Sequence, residues 1–310
     1  MSTGVRPAPE QYVPAESQLV VAYSVCRSIT RAAAKNFYYS FLVLPKTKSQ
    51  ALCSVYAFMR RCDDIADDTT IAAAERQQKL AAWVDALHRA QAGHPTDEPV
   101  LLALTDTQRR FSIPASLLDQ LAYGTAMDVI EVKSDEASSS LLQYKTFEEL
   151  CFYCYRVASV VGLVCIRIFG YNDPAAEKLA EQLGLAFQLT NIIRDVKEDL
   201  EMGRVYLPEE DLARFNVTPE DFRTAPISPQ VRSLLELEAH RAREYYLAAD
   251  GLIPMVDEDS QPALWVLSTI YRNLLEKIRR LQYDVFTQKV RLTTREKLVV
   301  LGKGLIRRLT

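Results

Sequence analysis

Two short stretches of the chain carry paired carboxylates at helical spacing. Read as a helix, the stretch QLTNIIRDVKED places four oxygen-bearing side chains on one face, at positions i, i+3, i+7 and i+11: Gln188, Asn191, Asp195 and Asp199. Carboxylates one turn apart, with Cβ atoms about 6 Å apart, repel each other by roughly 3 kcal/mol at an effective dielectric constant of about 20. A divalent cation reverses that repulsion. Because Mg²⁺ takes one or two protein carboxylates and fills its other positions with water and phosphate oxygens, the stretch predicts a magnesium site for a phosphorylated substrate.

A similar arrangement lies in the first half of the chain, at positions i, i+4, i+7 and i+11: Tyr56, Arg60, Asp63 and Asp67. A single acidic pair on a helix is usually part of a solvated surface. Both pairs here lie in strongly apolar sequence, SVYAFMRRCDDIAD and GLAFQLTNIIRDVKED. The two helices are therefore predicted to face each other across one metal-lined cavity.

Long apolar helices are needed to carry these stripes. The second stripe lies on a predicted helix from Pro174 to about Met202, which Gly203 ends. Residues 146–169 are apolar almost all round, which predicts a centrally buried helix closed by Gly170. Further helices are predicted over residues 262–287 and 294–308. Ten glycines among 310 residues agree with an α-rich chain.

The acidic stretches resemble the two signature regions of the squalene/phytoene synthase family. YAFMRRCDDIADD and NIIRDVKEDLEMGRVYLP are similar to its two DxxxD elements, and the likeness extends from about residue 35 to beyond residue 288. The resemblance implies an all-α fold, a single-domain isoprenoid-synthase-type helical bundle around a central apolar cavity. That domain is expected over residues 17–310, after a proline-containing leader, residues 1–16, that is expected to be disordered.

The family pattern also implies roles for individual residues. Five side chains would hold magnesium and diphosphate: Asp63, Asp67, Asn191, Asp195 and Asp199. Four others would bind or approach the phosphate groups: Arg60, Gln188, Arg194 and Tyr206. Arg204, beside the second element, is expected to make bidentate guanidinium contacts to the same diphosphate.

Metal ions on two acidic walls above an aromatic cavity imply ionisation of an allylic diphosphate. The leaving group gains negative charge, which magnesium and arginine stabilise, and the remaining carbocation must be kept from water. Aromatic faces stabilise such a cation by about 1–2 kcal/mol when desolvated. Five aromatic residues are predicted to contribute, the first two as catalytic groups and the others as substrate contacts: Tyr56, Tyr153, Phe37, Phe41 and Tyr271.

The resemblance adds a particular reaction, in which two prenyl diphosphates are joined head to head through a cyclopropylcarbinyl diphosphate. Two farnesyl diphosphates giving presqualene diphosphate or squalene are the expected case, because the sequence looks most like bacterial presqualene-type synthases. A phytoene synthase that joins two geranylgeranyl diphosphates is the alternative. Mg²⁺ is the expected cofactor, with Mn²⁺ as a substitute, and the lack of a GxGxxG fingerprint leaves NADPH use open.

Two other classes of protein remain as alternatives. A single-substrate terpene cyclase would share the metal ions and the cavity, but the GRVYLP tail beside paired DxxxD elements argues against it. An inert relative that acts as an assembly or binding protein would tend to lose acidic positions, and all four motif aspartates are present.

Composition restricts the remaining possibilities. The chain is 48% hydrophobic with a net charge of −3 and a pI near 5.8, which is globular and argues against a nucleic-acid-binding protein. Three histidines leave little scope for histidine-based metal sites or triads, and the six cysteines fall in apolar helical patterns typical of reduced, buried thiols.

The sequence also predicts how the protein meets membranes. The longest uncharged apolar run, residues 157–166, is about half of the roughly 20 residues that span a bilayer. A cytoplasmic enzyme in peripheral contact with the inner face of the membrane is expected, with an upstream prenyl diphosphate synthase and downstream membrane enzymes as partners. The ten Lys and Arg residues between Lys277 and Arg308 form either a solvated face or a patch that docks on anionic lipid.

Overall fold

The computed structural model describes residue 12 and residues 14–33, 37–68, 70–130, 142–223 and 226–309. These residues form thirteen α-helices and one pair of two-residue parallel strands. The helices are α1 (Glu16–Ala33), α2 (Phe37–Phe41), α3 (Lys46–Ala66), α4 (Ala73–Gln91), α5 (Pro99–Arg110), α6 (Ala115–Ile130), α7 (Phe147–Cys154), α8 (Val160–Phe169), α9 (Ala175–Glu201), α10 (Glu209–Phe215), α11 (Pro229–Ala248), α12 (Gln261–Arg280) and α13 (Thr294–Leu309). The strands are β1 (Leu142–Gln143) and β2 (Arg204–Val205). The predicted all-α fold is confirmed.

The two helices that carry the acidic stripes are α3 and α9. Helix α3 packs against α1, α5 and α6, and α9 packs against α11 and α12. Helix α8 contacts both α3 and α9 and therefore bridges the two helices that carry the stripes. Apolar residues from α1 to α13 join in one buried cluster around this arrangement. Of the predicted leader, residues 1–16, only Tyr12 and residues 14–16 are among the described residues, and Glu16 already begins α1.

Helices α7 and α8 form one continuous stretch, Phe147–Phe169, joined by a π-helical turn over Tyr155–Ser159. By length and composition alone this stretch could cross a membrane, and 44% of its most apolar window is buried inside the protein. A Cβ on Gly184 of α9 would lie 2.6 Å from Cα of Ser159, and a Cβ on Gly162 would lie 2.8 Å from the carbonyl oxygen of Ala180. The two glycines therefore permit backbone contact between this stretch and α9, which is typical of a central core helix.

The predicted helix over residues 262–287 is wrong at its C-terminal end. Helix α12 ends at Arg280, and Gln282 and Tyr283 adopt left-handed φ values of 54° and 61°. The chain then turns back towards α9, where the amine of Lys197 donates a hydrogen bond of 3.1 Å to the carbonyl oxygen of Phe286. This turn brings residues 284–293 to the second acidic stripe.

Candidate active site

A deep apolar cavity lies between α2, α3, α8, α9 and α12. It encloses about 980 Å³ of space, including the open solvent at its mouth. Phe37 and Phe41 line it from α2, and Tyr56 and Met59 line it from α3. Residues of α9 from Ala180 to Asn191 form the opposite wall, including the predicted site residue Gln188. Several residues of the apolar α7–α8 stretch also line this cavity, among them Val157, Val161 and Phe169.

The apolar cavity adjoins a polar compartment of about 660 Å³, open solvent included. Met59 and Val157 border both spaces, so they mark the boundary between the apolar part and the polar part. The polar compartment is lined by carboxylates, guanidinium groups and a phenol: Asp63, Asp67, Arg156, Arg204 and Tyr153. An amphiphile with a long apolar tail and an anionic head would match this order of surfaces.

Arg204 connects the polar compartment with the second acidic region. Asp67 ends α3, where its backbone N–H donates to the carbonyl oxygen of Asp63 at 2.8 Å. Nη2 of Arg204 lies 4.0 Å from Oδ1 of Asp67. Arg204 follows the second acidic region, because Gly203 ends α9 with a φ of +77° and β2 starts at once. Asp199 borders a smaller, separate pocket together with Arg204 and Tyr206, so Arg204 lines both the compartment of the first acidic pair and the pocket of Asp199.

Asp195 belongs to an ion-pair network at the edge of the site. Its Oδ1 accepts a hydrogen bond of 2.8 Å from Nε of Arg194, and Oδ2 accepts a second one from Nη2 of the same residue. The amine of Lys289 lies 3.1 Å from Oδ1 of Asp195 and 3.0 Å from Oε1 of Glu198. Burial works to raise the pKa of Asp195, but the hydrogen bonds and charges of Arg194 and Lys289 outweigh it and hold that pKa below its usual value.

The polar groups near the cavity fit a magnesium–diphosphate unit better than a closed metal site. Among the described residues, no three His, Cys, Asp or Glu side chains converge on one cation position. Oδ1 of Asn191 is buried without a hydrogen-bond partner in the described part of the chain, and this residue lines the cavity. Paired carboxylates plus an unsatisfied amide oxygen suit Mg²⁺, which completes its shell with substrate phosphate and water. Asp63, Asp67, Asn191, Asp195 and Asp199 remain the predicted ligands.

Two groups of aromatic rings flank the site. The ring of Tyr153 stacks on that of Tyr206 with centroids 5.0 Å apart, and Tyr144 lies 5.3 Å from Tyr153. On the cavity side, the ring of Tyr271 stacks on that of Phe187 at 4.3 Å and lies 5.8 Å from that of Phe37, and both partners line the cavity.

The predicted site residue Arg60 lies on α3, one turn before Asp64. Its Nη2 forms an ion pair of 2.6 Å with Oδ1 of Asp64. The phosphate-binding role of Arg60 stays a prediction.

Sequence reasoning missed several residues that the structure brings to the site. Arg156 lies in the π-helical turn and lines the polar compartment, with its guanidinium 4.7 Å from the ring centroid of Tyr123 and 4.5 Å from that of Phe152. Its Nε is buried and has no hydrogen-bond partner among the described residues. The only sequence feature that could have indicated a role for Arg156 is that it is the single charged residue in the apolar stretch YRVASVV. π-Helical turns occur frequently at functional sites, but their position is not readable from sequence.

Three further residues near the site, Lys289, Tyr144 and Phe187, were also not predicted. Lys289 belongs to a charge run that is ordinarily read as a solvated surface. Phe187 occupies an apolar helix position that is ordinarily read as core, and Tyr144 lies outside both motifs.

Known proteins are similar to this chain over most of its length. A family model described as squalene/phytoene synthase matches residues 30–296. A phytoene synthase from Arthrospira platensis is 35% identical over 299 residues, which cover 92% of this chain and 93% of that protein. The solved structure of a dehydrosqualene synthase in complex with ligand aligns with a TM-score of 0.82 and 31% identity, over 93% of this chain and 96% of its own. That of squalene synthase HpnC from Alicyclobacillus acidocaldarius aligns with a TM-score of 0.75 and 30% identity, over 87% of this chain and 97% of its own.

Proposed function

Because the chain belongs to the squalene/phytoene synthase family, we propose that it joins two geranylgeranyl diphosphates head to head to give phytoene. Membership makes it a prenyltransferase that condenses prenyl diphosphates, and the length of the prenyl chain is the proposed part. The observation that carries the chemistry is the apolar cavity beside a compartment lined by carboxylates and arginines, with Met59 and Val157 bordering both. This order of surfaces fits a long hydrocarbon below a diphosphate.

The acidic residues would hold the metal ions at the mouth of the cavity. Asp63 and Asp67 supply carboxylates from α3, and Asn191, Asp195 and Asp199 supply oxygen donors from α9. Bound Mg²⁺, or Mn²⁺ in its place, would neutralise the negative charge that develops on the departing diphosphate. The family generally uses a divalent metal ion for this purpose.

The remaining polar residues bind and orient the diphosphate. Arg204 and Arg156 line the polar compartment and can donate several hydrogen bonds from planar guanidinium groups. Tyr206 stacks on Tyr153, which fixes its ring beside the same compartment. Arg194 donates hydrogen bonds to Asp195 and would redirect some of them to the phosphate of a bound substrate.

The apolar residues keep water from the carbocation. The cavity is lined by Tyr56 and Met59 from α3 and by Phe187 from the opposite wall, α9. The cation would therefore form against an aromatic and apolar surface. Burial raises the pKa of the Tyr56 phenol, with a smaller opposing effect of Arg60, so this hydroxyl remains protonated near neutral pH. A protonated phenol cannot trap the cation as readily as a phenolate would.

The choice between two prenyl lengths rests on the relatives. The Arthrospira platensis protein, 35% identical across nearly the whole chain, is named phytoene synthase, and this favours the C20 substrate. Coupling of two farnesyl diphosphates is the second candidate, because the solved structures at 31% and 30% identity are named dehydrosqualene and squalene synthases. The α9 wall from Ala180 to Asn191 is about 16 Å long at 1.5 Å per residue, so a prenyl chain can lie along it.

The proposal is tested by incubating the purified chain separately with geranylgeranyl and farnesyl diphosphate. Each incubation contains Mg²⁺, is run with and without NADPH, and is analysed by mass spectrometry. We expect a C40 hydrocarbon from the C20 substrate whether or not NADPH is present, since rearrangement that ends in proton loss needs no hydride donor. A C30 product with little C40 would establish the farnesyl-coupling alternative.

Two other results would remove head-to-head coupling altogether. A cyclic hydrocarbon formed from one substrate would identify a terpene cyclase. Tight binding without any turnover would identify an inert binding protein. Removal of divalent cations with a chelator is the matched control and should stop product formation in the active case.

A further inference from the structure

Helix α13 presents an apolar face to solvent. The exposed fractions of four aliphatic side chains on its outward half are 51% for Leu298, 58% for Val299, 43% for Leu305 and 62% for Ile306. Among the nine residues from Leu298 to Ile306, Lys303 is the only polar one. A surface helix normally turns polar residues outward, so this face is unusual for a helix in contact with water alone.

The inner side of α13 fixes it against the walls of the prenyl cavity. It packs on α12 and α2, and a Cβ on Gly304 would lie only 2.3 Å from Cγ2 of Val266. The amine of Lys277 forms a 3.1 Å ion pair with Glu296, and the amine of Lys297 lies 5.7 Å from the ring centroid of Tyr39. Because α2 and α12 line the cavity with their other faces, the exposed apolar face is one helix layer away from the bound hydrocarbon.

Cations border the apolar face. Residues 277–308 contain ten Lys and Arg residues against Asp284 and Glu296, although the whole chain has a net charge of −3. Arg291, Arg295 and Lys303 are exposed, and none of them forms an ion pair among the described residues. An apolar face bordered by unneutralised cations is the arrangement of helices that lie at the surface of anionic bilayers.

We propose that α13 docks the enzyme on an anionic lipid bilayer. Leu298, Val299 and Ile306 enter the boundary between headgroups and acyl chains, and Arg295 and Lys303 contact the headgroups. The docking does not depend on the length of the prenyl substrate, but its benefit rests on the proposed function, since a water-insoluble hydrocarbon product would leave the cavity beside the bilayer that receives it.

Vesicle flotation with the full chain tests this surface. We expect wild-type protein to float with vesicles that contain phosphatidylglycerol, to float less with pure phosphatidylcholine, and to be released by salt. The triple variant Leu298→Gln, Val299→Gln, Ile306→Gln should bind at least about tenfold more weakly, because glutamine keeps the helix but removes the apolar contact. Val20→Gln with Val21→Gln is the matched control, because those residues of α1 are 63% and 60% exposed and should leave binding unchanged.

A second pair of variants tests the charges independently. Arg295→Gln and Lys303→Gln should each weaken binding to anionic vesicles by about fivefold, with no effect on neutral vesicles. This arm remains informative if the triple variant fails to fold. Equal binding of wild-type protein to neutral and anionic vesicles, or unchanged binding of the folded triple variant, would overturn the proposal.

Two controls separate lipid docking from self-association and from a loss of catalysis. Sedimentation without lipid tests whether a second copy covers the face: a wild-type dimer that the triple variant converts to a monomer would overturn the proposal. Turnover of detergent-dispersed geranylgeranyl diphosphate should be the same in wild type and triple variant. Loss of activity in wild type under those conditions would contradict the proposed function, whereas loss of flotation alone contradicts only the docking.

Discussion

Two substitutions, Asp67→Asn at the end of α3 and Asp195→Asn on α9, distinguish a role in metal binding from a role in the stability of the fold. The side chain of Asp67 is 63% exposed, and its ion pair with Arg204 is long, at 4.0 Å. The side chain of Asp195 is only 20% exposed and lies against both Arg194 and Lys289. Asp67→Asn and Asp195→Asn therefore remove the same charge from the proposed diphosphate site but are expected to disturb the folded protein to different degrees.

The structure gives a magnitude for that difference. An exposed ion pair contributes about 0–1 kcal/mol, so Asp67→Asn should leave the stability nearly unchanged. Asp195→Asn removes the carboxylate that Arg194 and Lys289 contact. Because a hydrogen bond between charged groups contributes about 1.5–3 kcal/mol, we expect the free energy of unfolding to fall by about 2 kcal/mol, after allowance for the partial exposure of Asp195. An unfolding entropy of roughly 2.1 cal/mol/K per residue over 310 residues converts this loss to a decrease in Tm of about 3 °C.

Both variants should lose catalysis by a similar factor. A metal-bound carboxylate that stabilises the departing diphosphate by about 3 kcal/mol corresponds to about a hundredfold decrease in kcat/KM. The assay is steady-state product formation over a Mg²⁺ titration, with thermal unfolding followed in parallel. Asp64→Asn is the matched control, because Asp64 lies beside the motif, is 46% exposed and pairs with Arg60.

Three results would refute parts of this reasoning. Unchanged turnover of Asp67→Asn at every Mg²⁺ concentration would remove the first acidic pair from the metal site. An equal loss in Asp64→Asn would show that general charge at the mouth, and not the motif position, controls the rate. An unchanged Tm of Asp195→Asn would show that its ion-pair network does not contribute to the stability of the free enzyme.

Three further predictions concern individual residues. Arg156→Met should weaken inhibition by inorganic diphosphate and lower kcat/KM by about tenfold or more, because a charged hydrogen bond is lost, and an unchanged inhibition constant would exclude contact with the substrate. Cys165 lines the cavity about 12 Å along the helix from Val157 at 1.5 Å per residue, so Cys165→Phe should block the deep part of the cavity. Turnover of geranylgeranyl diphosphate should then fall more than turnover of farnesyl diphosphate, and an equal fall of both would contradict the idea that only the longer chain reaches this position. Burial raises the pKa of Glu238 to about 7 despite the opposing charge of Arg241. Because the folded-state pKa lies above the ordinary value of 4.5, ionisation of Glu238 lowers the stability progressively as pH rises from about 4.5 to 7. Glu238→Gln should therefore gain up to about 3 kcal/mol relative to wild type above pH 7, part of that gain near pH 6 and nothing below about pH 4.5, measured by denaturant unfolding across pH.

Local sequence determined the elements that carry the chemistry. The 3.6-residue period places Gln188, Asn191 and Asp195 on one face of α9 whatever surrounds that helix. Gly170 and Gly203 end their helices with φ values of +78° and +77°, as glycine at those positions predicts. Motif likeness likewise identified the family, because the spacing of both acidic elements is a property of short segments.

The order of the cavity surfaces was predictable only in outline. Alternating apolar and acidic positions on two helices predicted a hollow with a charged mouth, and the aromatic residues Phe37, Phe41 and Tyr56 do line it. Tyr271 lies behind the cavity wall, where its ring contacts the lining residues Phe37 and Phe187, since a single helix face does not specify which neighbour covers it.

Tertiary packing alone decided which distant groups join the site. Lys289 reaches Asp195 because the chain turns back at Gln282, which adopts a left-handed φ. A helix-forming residue such as glutamine does not predict a turn at this position. Arg156 lies in a π-helical turn and lines the polar compartment, and its guanidinium lies against the rings of Tyr123 and Phe152. Both placements depend on contacts between residues far apart in the chain. Such contacts form only in the assembled fold and produce no periodic pattern in the sequence from which they could be predicted. The outward face of α13 has the same origin, because only the packing of α12 and α2 determines which of its apolar residues remain uncovered.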